Sequence, residues 1–342
     1  MRILIIRTSA MGDVALTVPA IKGMREQYPE DELVLLTRSE FKPFFTSVQG
    51  LKLFFPDFGQ RHRGIPGLFI LFRDIKKLGH FDYVIDLHNV IRSKILSFFF
   101  RTSRVKVKTI DKGRREKKLL IEGKRKVQLK HSVERYLDVF KSAGFKITPS
   151  PGPWIIPSAE TLNASLNITG IKEGVNIGVA PYAKHILKMW PEDNMVGLLK
   201  MISRKINAKF WIFGGQEESD RLISFQRKVP GSVYAGSRLG LDEELVLMKK
   251  LSFMISMDSS NMHMAALAGV KVISIWGTTD PLAGFGAWMQ PAEYSVRIPV
   301  DQLTCRPCTV YGAGKCWRKD HACMVWLTPE MVFKKLEELG LM

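Results

Sequence analysis

Short apolar runs alternate with longer stretches of helical periodicity along most of the chain. Residues Arg2–Ile6 form a continuous apolar run closed by a polar turn, and 14–28 carries apolar residues at helical spacing. Runs at 33–36 and 83–87 repeat the strand pattern. Residues 132–143, ending at Gly144, predict a helix with a glycine C-cap. Four prolines in nine residues at 149–157, around Trp154, mark a connector. Beyond it the alternation restarts, with strands at 176–179, 209–213, Phe253–Met257 and 272–276. Helices are predicted at 192–206, 217–229, 241–250 and from about Asn261. Apolar strands separated by helices signal parallel sheet covered on both faces. The pattern therefore predicts an α/β chain of two doubly wound domains, 1–150 and 151–342, with an interdomain cleft. Ligands of such sheets sit beyond the carboxyl ends of the strands, which directs attention to 8–13, 180–188, 214–218 and 258–263.

Composition supports two cores, since 46% of the 342 residues are hydrophobic and 25% charged. No apolar run approaches the roughly 18–20 residues of a membrane span. The stretches 67–72 and 95–100 are short and flanked by arginine or lysine. The N-terminal apolar run is broken at Arg7 and Asp13 and has no cleavage pattern, so a cytoplasmic location is expected. Charge changes the picture more. The net charge is +18, and between Arg104 and Lys130 twelve lysines and arginines face only Asp111, Glu116 and Glu122. A solvated basic loop or a contact for phosphorylated lipid or an anionic membrane would account for this. Nucleic acid is disfavoured, because no recognition motif and no interleaved stacking aromatics accompany the charge. The four cysteines, Cys305, Cys308, Cys316 and Cys323, fall in one C-terminal stretch. They read as reduced thiols, or as a zinc site opened by Cys305-x-x-Cys308.

Each of the four strand-end segments has a bland and a chemical reading. In Arg7-Thr8-Ser9-Ala10-Met11-Gly12-Asp13, Asp13 could cap a helix, or act as general base towards a sugar hydroxyl at the mouth of a cleft. Lys188, before Trp190-Pro191, is a surface lysine or a counter-charge for a diphosphate. Gly214-Gly215 with Glu218 is a tight turn, or a close approach to a nucleotide with an acid for ribose hydroxyls. Asp258-Ser259-Ser260-Asn261-Met262-His263 brings an Asp and two serines to a helix start that can receive phosphate.

Taken together these segments resemble glycosyltransferase family 9, the lipopolysaccharide heptosyltransferases. Arg7, Ser9, Gly12, Asp13, Pro19 and Ala20 look like its opening Arg-x-Ser-x-x-Gly-Asp-x-x-x-x-x-Pro-Ala. Residues 86–93 resemble Asp-Leu-Gln-Gly-x-x-Arg-Ser, and His131 to Tyr136 resemble His-x-x-x-Arg-Tyr. Lys188, Trp190 and Pro191 look like Lys-x-Trp-Pro, and 258–266 like Asp-[Ser/Thr]-Gly-x-x-His-x-Ala-Ala. Residues 276–281 resemble Phe-Gly-x-Thr-x-Pro, and the cysteine tail is similar to a Cys-x-Pro-Cys ending. Ser260, Tyr182 and His88-Asn89 depart from the family pattern.

The resemblance implies a GT-B fold of two Rossmann-like domains, the first taking the acceptor and the second the nucleotide-sugar, with the final helix returning to the first. It implies an inverting, metal-independent glycosyltransferase without a cofactor, moving heptose from ADP-heptose onto a lipopolysaccharide core precursor. Asp13 and Lys188 would be catalytic. Glu218, Asp258, Ser259, Ser260, Asn261 and His263 would bind donor; Ser9, Gly12, His88, Arg92, Arg114, Arg115, Lys117 and Lys118 would meet the acceptor. The enzyme is then expected at the inner face of the cytoplasmic membrane. A sugar-nucleotide 2-epimerase and a non-enzymatic polyanion-binding protein are the competing readings.

Overall fold

The computed structural model describes residues 1–149, 151–158, 170–237 and 239–342. The chain forms two compact units, Met1–Lys112 with Ser132–Ile156, and Gly113–His131 with Pro157–Met342. The basic segment Gly113–His131 belongs with the second unit, and the chain through Ile156 with the first. The proline-rich stretch, whose Ser150 lies outside the described residues, is anchored in the first: Trp154 and Ile155 are buried, and the Ser47 hydroxyl donates to the Trp154 carbonyl at 3.1 Å.

In the first unit five parallel strands, β1 (Arg2–Ile6), β2 (Glu32–Leu36), β3 (Lys52–Phe54), β4 (Tyr83–Asp86) and β5 (Lys106–Thr109), lie in the order β3-β2-β1-β4-β5. The helix anticipated at 14–28 is two, α1 (Met11–Ala15) and α2 (Val18–Gln27). Pro19, in the first turn of α2, has no N–H to give, and its ring excludes the carbonyl four residues back, so one continuous helix cannot pass. One sheet face is covered by α3 (Gly64–Lys76) and α4 (Ile91–Thr102). There Leu68, Leu71, Ile75, Leu96 and Phe100 form one buried cluster with Leu4, Ile6, Val34 and Val84. Burial of both sheet faces explains why β1, β2 and β4 read as continuous apolar runs. Ile6 pairs with Asp86, so β1 and β4 end together, at the point where the strand order reverses.

The second unit begins with α5 (Arg114–Ile121), beyond which α6 (Ser132–Ser142) returns to the first unit. Its sheet is also parallel, in the order β11-β10-β9-β6-β7-β8. The strands are β6 (Val175–Ala180), β7 (Ala208–Ile212), β8 (Val233–Tyr234), β9 (Phe253–Met257), β10 (Val272–Ile275) and β11 (Ser295–Val296). Around it lie α7 (Glu192–Lys205), α8 (Ser219–Lys228), α9 (Leu241–Lys249), α10 (Ser260–Leu267), α11 (Ala322–Val325) and α12 (Pro329–Glu338). The closing helix α12 packs on α7 within this unit. Ala180 pairs with Ser256, so β6 and β9 end side by side and form the second switch point. Both units are doubly wound, Rossmann-like sheets, and all four strand-end segments follow the strands anticipated for them. Among the described residues no helix is long and apolar enough to cross a membrane.

Candidate active site

Beyond β1 and β4 the first unit gathers Arg7, Thr8, Ser9, Asp13, His88 and Tyr136. Arg7 is buried and its guanidinium meets the Asp13 carboxylate at 2.7 Å. A second N–H donates to the Leu87 carbonyl at 2.6 Å, and Tyr136 lies beneath, 5.7 Å from ring centre to guanidinium carbon. The Tyr136 hydroxyl donates to the Asp13 carbonyl at 3.2 Å. Asp13 is therefore held from both its backbone and its side chain, while that side chain stays 39% exposed. A carboxylate fixed in place yet open to a ligand is what a general base requires. His88 sits between two hydroxyls, with Thr8 Oγ1 3.2 Å from Nδ1 and Ser9 Oγ 3.1 Å from Nε2. Burial, aided by the Arg7 charge, lowers its pKa to about 3, so the ring is neutral and uncharged towards a ligand. Asp86 accepts the N–H groups of His88 and Asn89, both at 2.9 Å, which shapes the turn into α4. Arg92, in the first turn of α4, stacks on Phe58 and lines an open cleft of about 600 Å³ with Arg38, Glu40 and Asp57.

Beyond β6 and β9 the second unit builds a more enclosed constellation. Lys188 Nζ lies 2.7 Å from Asp258 Oδ2, and both side chains are largely buried. The Thr279 hydroxyl donates to the same carboxylate at 2.9 Å. Asp258 is thus held from the loops after β6 and β10, while α10 opens two residues later, where the first N–H groups of a helix have no partner within it. Trp190 anchors the turn that carries Lys188, its indole N–H donating to the Leu327 carbonyl at 2.8 Å. Ser259 caps α10 by position and meets the Ser256 hydroxyl at 3.2 Å; Asn261 and His263 are buried within the first turn. Tyr182 does not occupy this space. Its ring packs on Phe225, its hydroxyl donates to Glu192 at 2.6 Å, and Arg221 lies 3.8 Å over it. At Gly214 the chain passes close to Leu222, whose side chain would lie 2.6 Å from a Cβ there. Glu218 reaches back to the Gly215 N–H at 3.3 Å, and burial raises its pKa.

Sequence reasoning overlooked several residues. Arg306, between the first two cysteines, is buried and holds the loop after β10. It donates to Gly277 and Thr279 carbonyls at 2.7 and 3.2 Å, to the Ile298 carbonyl, and to Asp280 at 3.3 Å. That loop carries Thr279 to Asp258. Glu244, whose carboxyl burial and Glu243 hold at about 7, was overlooked as well. The basic group needs a correction: Lys117 is buried on the inner side of α5, its ammonium 4.1 Å over the Phe285 ring, whereas Arg114, Arg115 and Lys118 are exposed. Hydrophobic spacing at Lys117 and Leu120 contained that signal. The four cysteines are free thiols, and burial pushes that of Cys323 up to about 12. Among the described residues no three His, Cys, Asp or Glu side chains are grouped to hold a metal ion.

The sequence profile of glycosyltransferase family 9 (heptosyltransferase) matches residues 71–313, across both units. The chain belongs to glycosyltransferase family 9. Lipopolysaccharide heptosyltransferase 1 of Escherichia coli K12 is 23% identical over 84% of this chain and 91% of its own length. A family 9 glycosyltransferase from Veillonella parvula superposes with a TM-score of 0.77 at 19% identity, covering 99% of this chain and 97% of that one. The E. coli heptosyltransferase WaaC, solved with ADP-2-deoxy-2-fluoro heptose, superposes with a TM-score of 0.67 at 19% identity, covering 99% and 100%. This family 9 chain is therefore a glycosyltransferase with two Rossmann-like units of the GT-B class. Its switch-point residues, Asp13 in one unit and Lys188 with Asp258 in the other, are the centres about which family chemistry is to be sought.

Proposed function

We propose that this enzyme transfers a heptosyl group from ADP-heptose to a sugar hydroxyl of a lipopolysaccharide core precursor, with inversion and without a metal ion. The observation that carries the reading is the Lys188–Asp258 pair, 2.7 Å apart, set before the free N–H groups of α10. A lysine cation and a helix N-terminus supply the positive potential that a departing diphosphate needs. Asp258 fixes the lysine in place, and Glu218 receives ribose hydroxyls. In the step itself Asp13 takes the proton of the acceptor hydroxyl. The acceptor oxygen forms a bond to the anomeric carbon on the face opposite the diphosphate, the bond from that carbon to the phosphate oxygen breaks, and ADP leaves with the electron pair. Arg7 keeps the Asp13 carboxylate oriented for the transfer. Ser9, Gly12, His88 and Arg92 contact the acceptor, and the neutral His88 offers hydrogen bonds without repelling cations around it. Arg114, Arg115 and Lys118 meet its phosphates or the anionic inner face of the cytoplasmic membrane that bears it.

The test offers the purified enzyme labelled ADP-heptose and other nucleotide-sugars, with and without lipid acceptor, in the presence and absence of EDTA. The reading predicts transfer only from ADP-heptose, only with acceptor, and undiminished by EDTA. Consumption of a nucleotide-sugar without acceptor would favour an epimerase, and activity lost to EDTA and restored by Mg²⁺ would overturn the electrostatic account.

A further inference from the structure

Helices α3 and α4 pack side by side in the first unit, with Phe72 against Phe99 and Phe100 at ring-centre distances of 5.7 and 5.0 Å and Phe69 against Phe99 at 5.6 Å. Leu68, Leu71, Ile75, Leu96 and Phe100 face the sheet. The opposite faces should then be polar, as on a surface helix of a soluble protein. Instead Ile65 is 65% exposed, Phe69 48%, Ile91 77% and Phe98 58%, all on the outer surfaces of the two helices. Four such side chains on two neighbouring helices, rather than one alone, mark an interaction surface. The exposed cations of the same segments accompany them. Arg63, Arg73, Lys94 and Arg101 are exposed. The one acid in 63–77 and 91–104 is Asp74, already engaged by Arg61, His62 and Lys77 at 2.7, 3.3 and 3.0 Å.

Exposed apolar side chains interspersed with cations fit one partner chemistry closely, a bilayer surface containing anionic lipid. The Phe and Ile side chains would enter the boundary between headgroups and acyl chains, and the cations would meet lipid phosphates. A second copy of this face fits poorly, because a two-fold contact would bring the same arginines and lysines against each other. α3, with 13 residues, is about 20 Å long and too short to span the bilayer. We propose that the outer face of α3 and α4 inserts shallowly into an anionic membrane through Ile65, Phe69, Ile91 and Phe98, with Arg73, Lys94 and Arg101 on the lipid phosphates. The inference deepens the reading of a membrane-borne acceptor and concerns different residues from the exposed cations of α5.

The test compares the full chain with Phe69→Ser/Phe98→Ser and with Phe69→Trp/Phe98→Trp. Sedimentation is measured with phosphatidylglycerol–phosphatidylethanolamine vesicles at physiological salt, and ADP affinity and solution mass are measured alongside. Wild type should sediment with the vesicles, the Ser pair should partition at least about tenfold less, and the Trp pair should bind as wild type. ADP affinity and mass should be equal in all three. Equal sedimentation of the Ser pair, loss of binding in the Trp pair, or a wild type that ignores vesicles would overturn the proposal. A wild-type dimer that the Ser pair converts to monomer would assign the face to a second copy. Vesicle binding without heptose transfer would leave this proposal standing and refute the reaction assigned above.

Discussion

In the proposed reaction the buried Lys188–Asp258 pair would receive a second anion, the donor diphosphate. Without ligand, the ammonium is matched by Asp258, and Thr279 satisfies the same carboxylate from the other side. A diphosphate would add charge that the lysine and the α10 amides can balance. Lys188→Ala should therefore weaken ADP by about 1.5–3 kcal/mol, the scale of a hydrogen bond to a charged group. Calorimetry returning equal ADP affinity for the two proteins would remove Lys188 from the donor site. His88 makes a pH-dependent contribution whose sign is fixed. Its folded pKa, about 3, lies below the ordinary histidine value, so unfolded chain binds a proton that folded chain refuses. Stability is full above about pH 6.5 and is lost as pH falls towards 3, by up to ~1.4 kcal/mol per pH unit from this residue. Thermal melts of His88→Asn should show a shallower acid slope than wild type, and identical slopes would show that the ring is not held neutral.

At the scale of elements, the loop after β10 depends on a residue far along the chain. Arg306 closes four hydrogen bonds on that loop and its surroundings from a fully buried position, and Asp280 beside it is shared with Arg297 at 3.3 Å. Arg306→Ala should cost about 3–5 kcal/mol, since it takes one of two arginines from a buried carboxylate and leaves several buried carbonyls without their donor. It should also lower ADP affinity by loosening Thr279 from Asp258. A denaturation midpoint equal to wild type would contradict this. The same example shows what the sequence displays and what it hides. Strands β1, β2, β4, β6, β7, β9 and β10 were legible because burial on both faces makes most of their positions apolar. Strands β3 and β5 were not, since Lys52, Lys106 and Lys108 lie on sheet edges, where charge is tolerated and keeps other chains away. The site segments were legible because strand ends are local features. Arg306 and the burial of Lys117 arise from contacts across long stretches of chain, and no local pattern records the first of them.

For the whole molecule, the positive excess of +18 divides into several structural uses. Arg7 and Arg306 are buried pins, Lys188 is paired with Asp258, Lys117 lies on an aromatic ring, and exposed cations of α3 and α4 accompany exposed apolar side chains. The buried cations are closed to a lipid surface, so a membrane-borne acceptor would not draw on the whole charge excess. The account as a whole rests on Asp13 acting as the base of heptosyl transfer. Asp13 also balances the buried Arg7, so its replacement is expected to lower the melting temperature, and folding must be checked beside catalysis. The most direct measurement is turnover of ADP-heptose with a lipopolysaccharide precursor by wild type and Asp13→Asn, with ADP affinity determined on the same preparations. Turnover should fall by a factor on the order of 10²–10⁴ while ADP affinity stays within error of wild type. Unchanged turnover in the folded variant, or a loss of ADP affinity as large as the loss of rate, would contradict the account.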